Sequence, residues 1–169
     1  FTLSAAGNGY TAVGNPYPSP VSIATFLNDN NGLIDGNLYF WRKTNNALGS
    51  AYITCSGGVF SDGPHDHNNI QPGQGFFVRA VSAGNLQFNN LQRELNDGVF
   101  YRNDNAVTSS RIWLHLKSNN AVVGNMAIGY RADATNEIDQ MLDGEYINDS
   151  TLALNSIVAE TELAVQHRA

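Results

Sequence analysis

The stretch that decides the fold is Ile70-Gln71-Pro72-Gly73-Gln74-Gly75-Phe76-Phe77-Val78-Arg79-Ala80. It begins with a turn, because Pro72 presets φ at the first central position and Gly73 accepts the positive φ of a type II turn at the second. The aromatic and β-branched residues after Gly75 then predict a strand. Its side chains alternate, with Phe76, Val78 and Ala80 on one side and Phe77, Arg79 and Val81 on the other. Since both sides carry apolar residues, we predict a central strand that is buried on both faces.

Length and charge narrow the class of protein. The chain has 169 residues and a formal net charge of −6, and this length suits one domain with its own core. The acidic balance argues against nucleic acid and anionic membrane surfaces as partners, since both attract basic proteins. No apolar run approaches the roughly 20 residues of a membrane-spanning helix. Cys55 is the single cysteine, so no internal disulfide is possible and we expect a buried, unreactive thiol.

The rest of the chain repeats the pattern of short apolar segments separated by Gly, Asn, Asp and Pro. Helical turns are predicted at 21–27, with Ser22 as the N-cap, and at 91–95. Besides the central strand, the predicted strands are Gly9–Gly14, Leu38–Arg42, Ala51–Cys55, Leu86–Phe88, Val99–Arg102, Arg111–Lys117, Val122–Arg131, Leu152–Ile157 and Leu163–Arg168. This pattern predicts an all-β fold, an antiparallel β-sandwich of jelly-roll type with about nine or ten strands.

The segment Arg111–Lys117 alternates most regularly. The alternation predicts that Ile112, Leu114 and Leu116 face the core. Trp113, His115 and Lys117 then face outward or against a second layer. We expect residues 1–169 to form a single domain. Because the chain starts within a pattern at Phe1 and stops just after an apolar alternation, we also expect it to be a piece of a longer polypeptide with neighbouring domains.

A set of short motifs, in this order, resembles a known kind of module. The motifs are Gly14-Asn15-Pro16-Tyr17-Pro18-Ser19-Pro20, Ile34-Asp35-Gly36-Asn37-Leu38-Tyr39-Phe40-Trp41, Pro72-Gly73-Gln74-Gly75-Phe76-Phe77-Val78, Arg111-Ile112-Trp113-Leu114, Gly129-Tyr130, Leu142-Asp143-Gly144-Glu145 and Val165-Gln166-His167-Arg168-Ala169. Together they resemble the β-rich module of large cell-surface and secreted proteins of the Bacteroidetes, which precedes the C-terminal sorting domain read by the type IX secretion system. The resemblance implies export across the outer membrane to the cell surface or medium, within a multidomain protein such as an adhesin. It implies no activity for the module itself.

One candidate metal site is the pair His65 and His67. Alternate residues of an extended segment project to the same side, so two imidazoles can bind one ion. Asp62, Asp66 or His115 would supply a third ligand. The pair is not part of the resemblance described above. The alternative is that both histidines are exposed residues of a Gly-, Pro- and Asn-rich loop.

Two oxygen-rich segments are candidate calcium sites. The first contains Asp29, Asn31 and Asp35, and the second contains Asp133, Glu137, Asp139, Asp143 and Glu145. Calcium binds six to eight oxygen atoms from carboxylates, amides and backbone carbonyls. The alternative is that both segments are ordinary Asx-turns, in which the side-chain oxygen accepts a hydrogen bond from a nearby backbone N–H.

Aromatic residues form the third candidate site. Trp41, Trp113, Tyr39, Tyr52, Tyr101 and Tyr130 are candidates for a sugar-stacking face, and Tyr17 for a ligand rim in the proline-rich loop. The alternative is that these rings are core. Since the sequence contains no catalytic motif, the leading prediction is a non-enzymatic extracellular module for adhesion, spacing or display. The second is a carbohydrate-binding module that calcium assists. A third is a metal-dependent enzyme that uses His65, His67 and His115.

Overall fold

The computed structural model describes residues 1–4, 9–42, 51–63, 68–95, 110–147 and 152–169. In these ranges the chain forms fourteen strands, one α-helix and one 3-10 helix, more strands than the nine or ten expected. The strands are β1 (Thr2–Leu3), β2 (Tyr10–Gly14), β3 (Val21–Ser22), β4 (Asn37–Arg42), β5 (Ala51–Ser56), β6 (Val59–Phe60), β7 (Asn69–Ile70), β8 (Gly75–Arg79), β9 (Gly84–Asn85), β10 (Arg111–Ser118), β11 (Ala121–Tyr130), β12 (Gly144–Glu145), β13 (Ser156–Val158) and β14 (Thr161–Arg168). Helix α1 spans Ile23–Asp29 and the 3-10 helix spans Asn90–Gln92.

The prediction of an all-β fold is confirmed, and two five-stranded sheets carry most of the strands. The first sheet has the order β2-β8-β4-β5-β6 and is antiparallel throughout. The second has the order β10-β11-β14-β12, with β13 also paired to β14. Its β11–β14 pair is parallel. The chain therefore completes the first sheet before it starts the second.

The larger core lies on one face of the first sheet. Helix α1 begins as predicted at Ser22, whose Oγ accepts the Thr25 N–H at 3.4 Å. The helix buries Ile23, Phe26 and Leu27 against the apolar side chains of β4, β5 and β8. At its end Asn30 is 1% exposed. Its amide donates to the Phe26 and Gln87 carbonyls at 2.8 and 3.0 Å, and its Oδ1 accepts the Gln87 N–H at 2.7 Å. A buried amide is tolerated because these bonds replace those to water.

The prediction for the central strand is correct for one face only. Strand β8 lies between β2 and β4, and its Phe76 and Val78 are buried in the core. Phe77 and Arg79, on the other face, are only half-buried. Sequence alternation cannot reveal this difference, because an aromatic residue suits a buried face and a partly open face equally well.

The second sheet packs against β5 and β6 on the opposite face of the first sheet. Val59, Ala127 and Val165 form a small core there, and the Trp113 ring packs on it and donates its Nε1–H to the Phe60 carbonyl at 3.0 Å. Ile112 and Leu114 are consequently 45% and 42% exposed. The prediction that Ile112 and Leu114 face the core is therefore wrong. Trp113, on the other side of β10, takes the inward position because its ring fills the space between sheets while its N–H finds a carbonyl.

His167 lies buried where the two sheets meet. Its backbone N–H donates to Asp143 Oδ1 at 2.6 Å, and its Nδ1 lies 2.6 Å from the Leu142 carbonyl. Burial lowers the pKa of the imidazole, so the ring is neutral at pH 7 and Nδ1–H is the donor to Leu142.

No helix among the residues described is long and apolar enough to cross a membrane.

Candidate functional site

The site is built on the face of the first sheet that is turned away from the larger core. The strand registers place twelve residues of this face in three rows across β2, β8, β4 and β5. The rows are Tyr10, Arg79, Asn37 and Ser56; then Ala12, Phe77, Tyr39 and Thr54; then Gly14, Gly75, Trp41 and Tyr52. The face therefore changes from polar to aromatic along the strands.

The polar end is partly covered by the second sheet. The Asn37 amide donates to the Asp143 carbonyl at 3.0 Å, and the Ser56 hydroxyl donates to the Leu142 carbonyl at 2.5 Å. Gly144 lies so close that a Cβ there would be 2.5 Å from Thr54 Cγ2. The segment 142–145 thus covers one end of the face and leaves the aromatic end open.

The open end is a shallow trough of about 410 Å³. Its floor is the backbone of β2 and β8 at Ala12 and Gly75, and its walls are the rings of Trp41, Tyr52 and Phe77. Ala12 and Gly75 are exposed. We call the three rings the aromatic platform, and this space the trough.

The rings of the aromatic platform hold one another in place. Trp41 is 47% exposed, although it is the largest apolar side chain of β4. Its ring centroid lies 4.9 Å from that of Tyr52, and the Tyr52 and Phe77 centroids lie 5.7 Å apart, both pairs with edge-to-face geometry. Such pairs stabilise each other beyond the area they bury. The platform therefore presents ordered rings to solvent without closing over them.

Gly75 keeps the trough open, and the fold does not require a glycine there. Its φ is outside the left-handed region, so any residue can adopt its backbone conformation. A Cβ at this position would meet only the Val13 carbonyl oxygen, at 3.8 Å, which is an ordinary contact. A residue with a side chain would also suit a strand better, because glycine weakens strand interiors. What glycine provides at this position is space above the backbone.

Arg79, Glu145 and Tyr10 form a polar cluster at the covered end of the face, one row of the sheet beyond Phe77 and Ala12. The guanidinium of Arg79 donates to Glu145 Oε1, and both side chains are about one-third exposed, at 36% and 37%. The Tyr10 hydroxyl donates to Glu145 Oε2 at 3.3 Å. Glu145 belongs to β12, so the second sheet completes a cluster that begins on the first.

Tyr39 and Asp35 lie behind this cluster. The Tyr39 hydroxyl donates to Asp35 Oδ2 at 3.2 Å, and Asp35 Oδ1 accepts the Asn37 N–H at 3.0 Å. Burial raises the pKa of Tyr10 to about 12, with Glu145 adding to the rise. Burial also raises the pKa of Tyr39 and that of Asp35. Both phenols therefore stay protonated and act as hydrogen-bond donors, not as bases.

The structure separates the four aromatic residues that were predicted to bind ligand. Trp41 stands on the aromatic platform, whereas Tyr39 is 0% exposed and Trp113 packs between the sheets. Tyr17 packs on the larger core and under the Arg93 guanidinium, 5.3 Å from its ring centroid. Phe77 was assigned to a buried face, and its place in the trough was missed. The available signal was its position two residues after Gly75, on the same side of the strand.

Four of the seven carboxylates in the candidate calcium segments, Asp29, Asp35, Asp139 and Asp143, accept hydrogen bonds from the protein. Asp29 accepts from the side-chain amides of Asn89 and Gln92, both at 2.8 Å, and Asp35 is held as described above. Asp139 accepts the Thr135 N–H and hydroxyl at 2.6 and 2.9 Å. Asp143 accepts the backbone N–H groups of Asp139 and His167 at 2.9 and 2.6 Å.

Among these contacts, the bond from the Asn37 N–H to Asp35 Oδ1 has the form of an Asx-turn, whereas the others join residues farther apart in the chain. Asn31 is exposed, with its backbone N–H bonded to the Asn28 carbonyl at 3.3 Å. Within the described ranges, no three His, Cys, Asp or Glu side chains come together as metal ligands. His65, His67 and Asp66 lie outside the described residues, as does Tyr101, and calcium binding stays a prediction. Cys55 is fully buried as expected, and burial raises its pKa to about 12.

Comparison with known proteins identifies a family but no described relative. A family model described as a domain of unknown function (DUF8693) matches residues 2–169, and the chain belongs to this family. The search of curated proteins found no match. The search of solved structures found no match either.

Proposed function

We propose that this member of the family is a non-catalytic carbohydrate-binding module, in which the aromatic platform stacks against the face of a sugar ring. The observation that carries the proposal is the exposed Trp41 ring beside the open floor at Gly75. A pyranose presents an apolar face of C–H groups and an edge of hydroxyls. The trough offers ordered rings for the apolar face, and the polar cluster in the neighbouring row of the sheet offers donors and acceptors for the hydroxyls.

The charges near the trough support binding without catalysis. Glu145 is held by Arg79 and Tyr10, and Asp35 is held by Tyr39 and the Asn37 backbone. Burial raises the pKa of both Tyr10 and Tyr39, so the two phenols stay protonated and serve as hydrogen-bond donors. The arrangement is one of fixed donors and acceptors, as a binding site requires.

In the parent protein this module would work outside the cell, at the surface or in the medium, beside neighbouring domains. The net charge of −6 disfavours nucleic acid as a ligand. The resemblance to surface and secreted modules, carried by the motifs described above, also supports this setting. Binding of glycans would then serve adhesion. If the trough binds no glycan, spacing or display within a longer protein is the function that remains.

The test uses the two tryptophans of the chain. Trp113→Phe leaves Trp41 as the single fluorescent reporter, and xylo-, cello- and galacto-oligosaccharides are titrated into this variant. We expect a saturable change in Trp41 emission, confirmed by calorimetry on the wild-type chain. Trp41→Ala should weaken binding at least about tenfold, which corresponds to about 1.4 kcal/mol, while Trp113→Phe retains wild-type affinity.

Gly75→Leu gives an independent test, because it fills the floor of the trough and leaves every ring of the aromatic platform in place. It should abolish binding while circular dichroism and the melting temperature stay close to those of the wild-type chain. Unchanged binding by Trp41→Ala and Gly75→Leu would contradict the site. Absence of binding to any of these glycans, or release of reducing sugar from them, would contradict the function.

A further inference from the structure

Next to the trough, one row of the sheet beyond Phe77, lies a charged pair to which each of the two sheets supplies one residue. Arg79 comes from β8 of the first sheet and Glu145 from β12 of the second. We propose that this pair recognises the hydroxyl edge of the sugar and makes the site selective for neutral over acidic saccharides. The inference rests on the proposed function and adds the ligand class and the residues that determine it.

Position is the first argument. Arg79 and Phe77 are two residues apart on β8 and lie on the same side of the strand, at a distance of about 7 Å along it. This spacing is close to the width of a pyranose ring. Tyr10 and Ala12 repeat the arrangement on the neighbouring strand, opposite Arg79 and Phe77. A sugar stacked over Phe77 therefore brings its edge to the charged pair.

Hydrogen-bonding capacity is the second argument. The guanidinium carries five N–H donors and the carboxylate about four acceptor positions. Their mutual contact uses Arg79 Nη1 and Glu145 Oε1, and Tyr10 takes Oε2 at 3.3 Å. Both side chains keep about a third of their surface exposed, at 36% and 37%. Two adjacent hydroxyls can thus donate one bond to Glu145 and accept one from Arg79, and bonds to charged partners are the stronger kind.

Charge is the third argument. The positive charge of Arg79 is already matched by Glu145, and Asp35 lies behind the pair. The carboxylate of a uronic acid would meet these negative groups in a chain of net charge −6. Like charges brought together at an interface are unfavourable, whereas a neutral hydroxyl pair meets no such penalty.

The experiment compares Glu145→Gln with a control that removes the same charge elsewhere. Glu162→Gln is that control, because Glu162 is exposed and lies on the side of β14 opposite to Leu163, the register partner of Glu145. Each variant is titrated with galactotetraose, cellotetraose and tetragalacturonic acid. The wild-type chain and Glu162→Gln should both bind a neutral tetrasaccharide more tightly than tetragalacturonic acid.

Glu145→Gln should bind the neutral tetrasaccharide about tenfold more weakly and tetragalacturonic acid more tightly, so that the preference disappears. Arg79→Gln, which removes the donor, should weaken binding of the neutral probe without strengthening that of the acidic one. Equal affinities of Glu145→Gln and Glu162→Gln would overturn the inference and leave the function standing, as would a wild-type preference for the acidic probe. If the wild-type chain binds none of the three probes, the function and the inference both fall.

Discussion

Gly129→Ala tests how tightly His167 is held between the sheets. Gly129 and His167 are register partners in the parallel β11–β14 pair. A Cβ on Gly129 would lie 2.6 Å from Cδ2 and 2.7 Å from Nε2 of the imidazole, closer than side-chain contacts allow. The φ of Gly129 lies outside the left-handed region, so the backbone itself accepts alanine. The clash with the ring therefore decides the outcome.

The ring has little room to move aside. His167 is 0% exposed, its Nδ1 lies 2.6 Å from the Leu142 carbonyl, and its Cε1 lies 3.1 Å from the Cβ position of Gly57. Overpacking of this kind destabilises the folded state by about 1–3 kcal/mol. Alanine offsets about 0.5–1 kcal/mol of this loss, because it loses less backbone entropy on folding than glycine does. His167→Ala should cost about 2–4 kcal/mol through the cavity and the lost hydrogen bond.

The double variant Gly129→Ala/His167→Ala distinguishes a clash with the imidazole ring from a general destabilisation of the second sheet. In the His167→Ala background the new methyl group enters vacated space, so Gly129→Ala should become neutral or stabilising. The coupling free energy should be about 2 kcal/mol, against additivity within about 0.5 kcal/mol for sites that do not touch. Urea unfolding followed by circular dichroism measures all four proteins. Additive effects would refute the placement of the ring, and Gly14→Ala, whose Cβ would meet only the Gln74 carbonyl at 3.6 Å, is the control expected to change little.

Three further predictions concern pH, one buried amide and metal. Because burial lowers the pKa of His167 below its usual 6.5, stability should be full above pH 6.5 and fall below it, where only the unfolded state takes up the proton; urea midpoints from pH 7 to 5 should show a smaller fall in His167→Gln than in the wild-type chain. Asn30→Ala should cost about 2–4 kcal/mol in the same assay, since three buried hydrogen bonds are lost, and a cost below about 1 kcal/mol would contradict this. Excess EDTA should shift the melting temperature little, because Asp29, Asp139 and Asp143 already accept protein hydrogen bonds; a fall of several degrees with stoichiometric calcium in the untreated protein would confirm the calcium prediction.

Local patterns were sufficient where the physical cause is local. Alternation and glycine or proline turns predicted the strands around Leu38, Phe76 and Val123, and Ser22 was correctly predicted to begin the only α-helix of the described chain. These features depend on neighbours a few residues away, through the staggered side chains of a strand or the unpaired N–H groups of a helix start.

The same patterns failed for one strand of each sheet. Strand β10 alternates regularly, yet Trp113 packs inward in place of Ile112 and Leu114, because its indole N–H reaches the Phe60 carbonyl of the other sheet. Likewise β8 was expected to be buried on both faces, yet Phe77 lines an open trough. Sequence alternation distinguishes the buried face of a strand from the exposed face only when the residues on the two faces differ in polarity.

By itself, the sequence determined the all-β class, most strand positions, the start of the helix and the burial of Cys55, because these follow from composition and short-range periodicity. Only the tertiary structure decided which rings form the aromatic platform, since Trp41, Tyr52 and Phe77 come from three strands whose neighbours are set by sheet order. It also brought Glu145 from the second sheet to Arg79 and Tyr10 on the first. Sheet order and register depend on how whole faces pack to exclude water, which is a property of the complete chain.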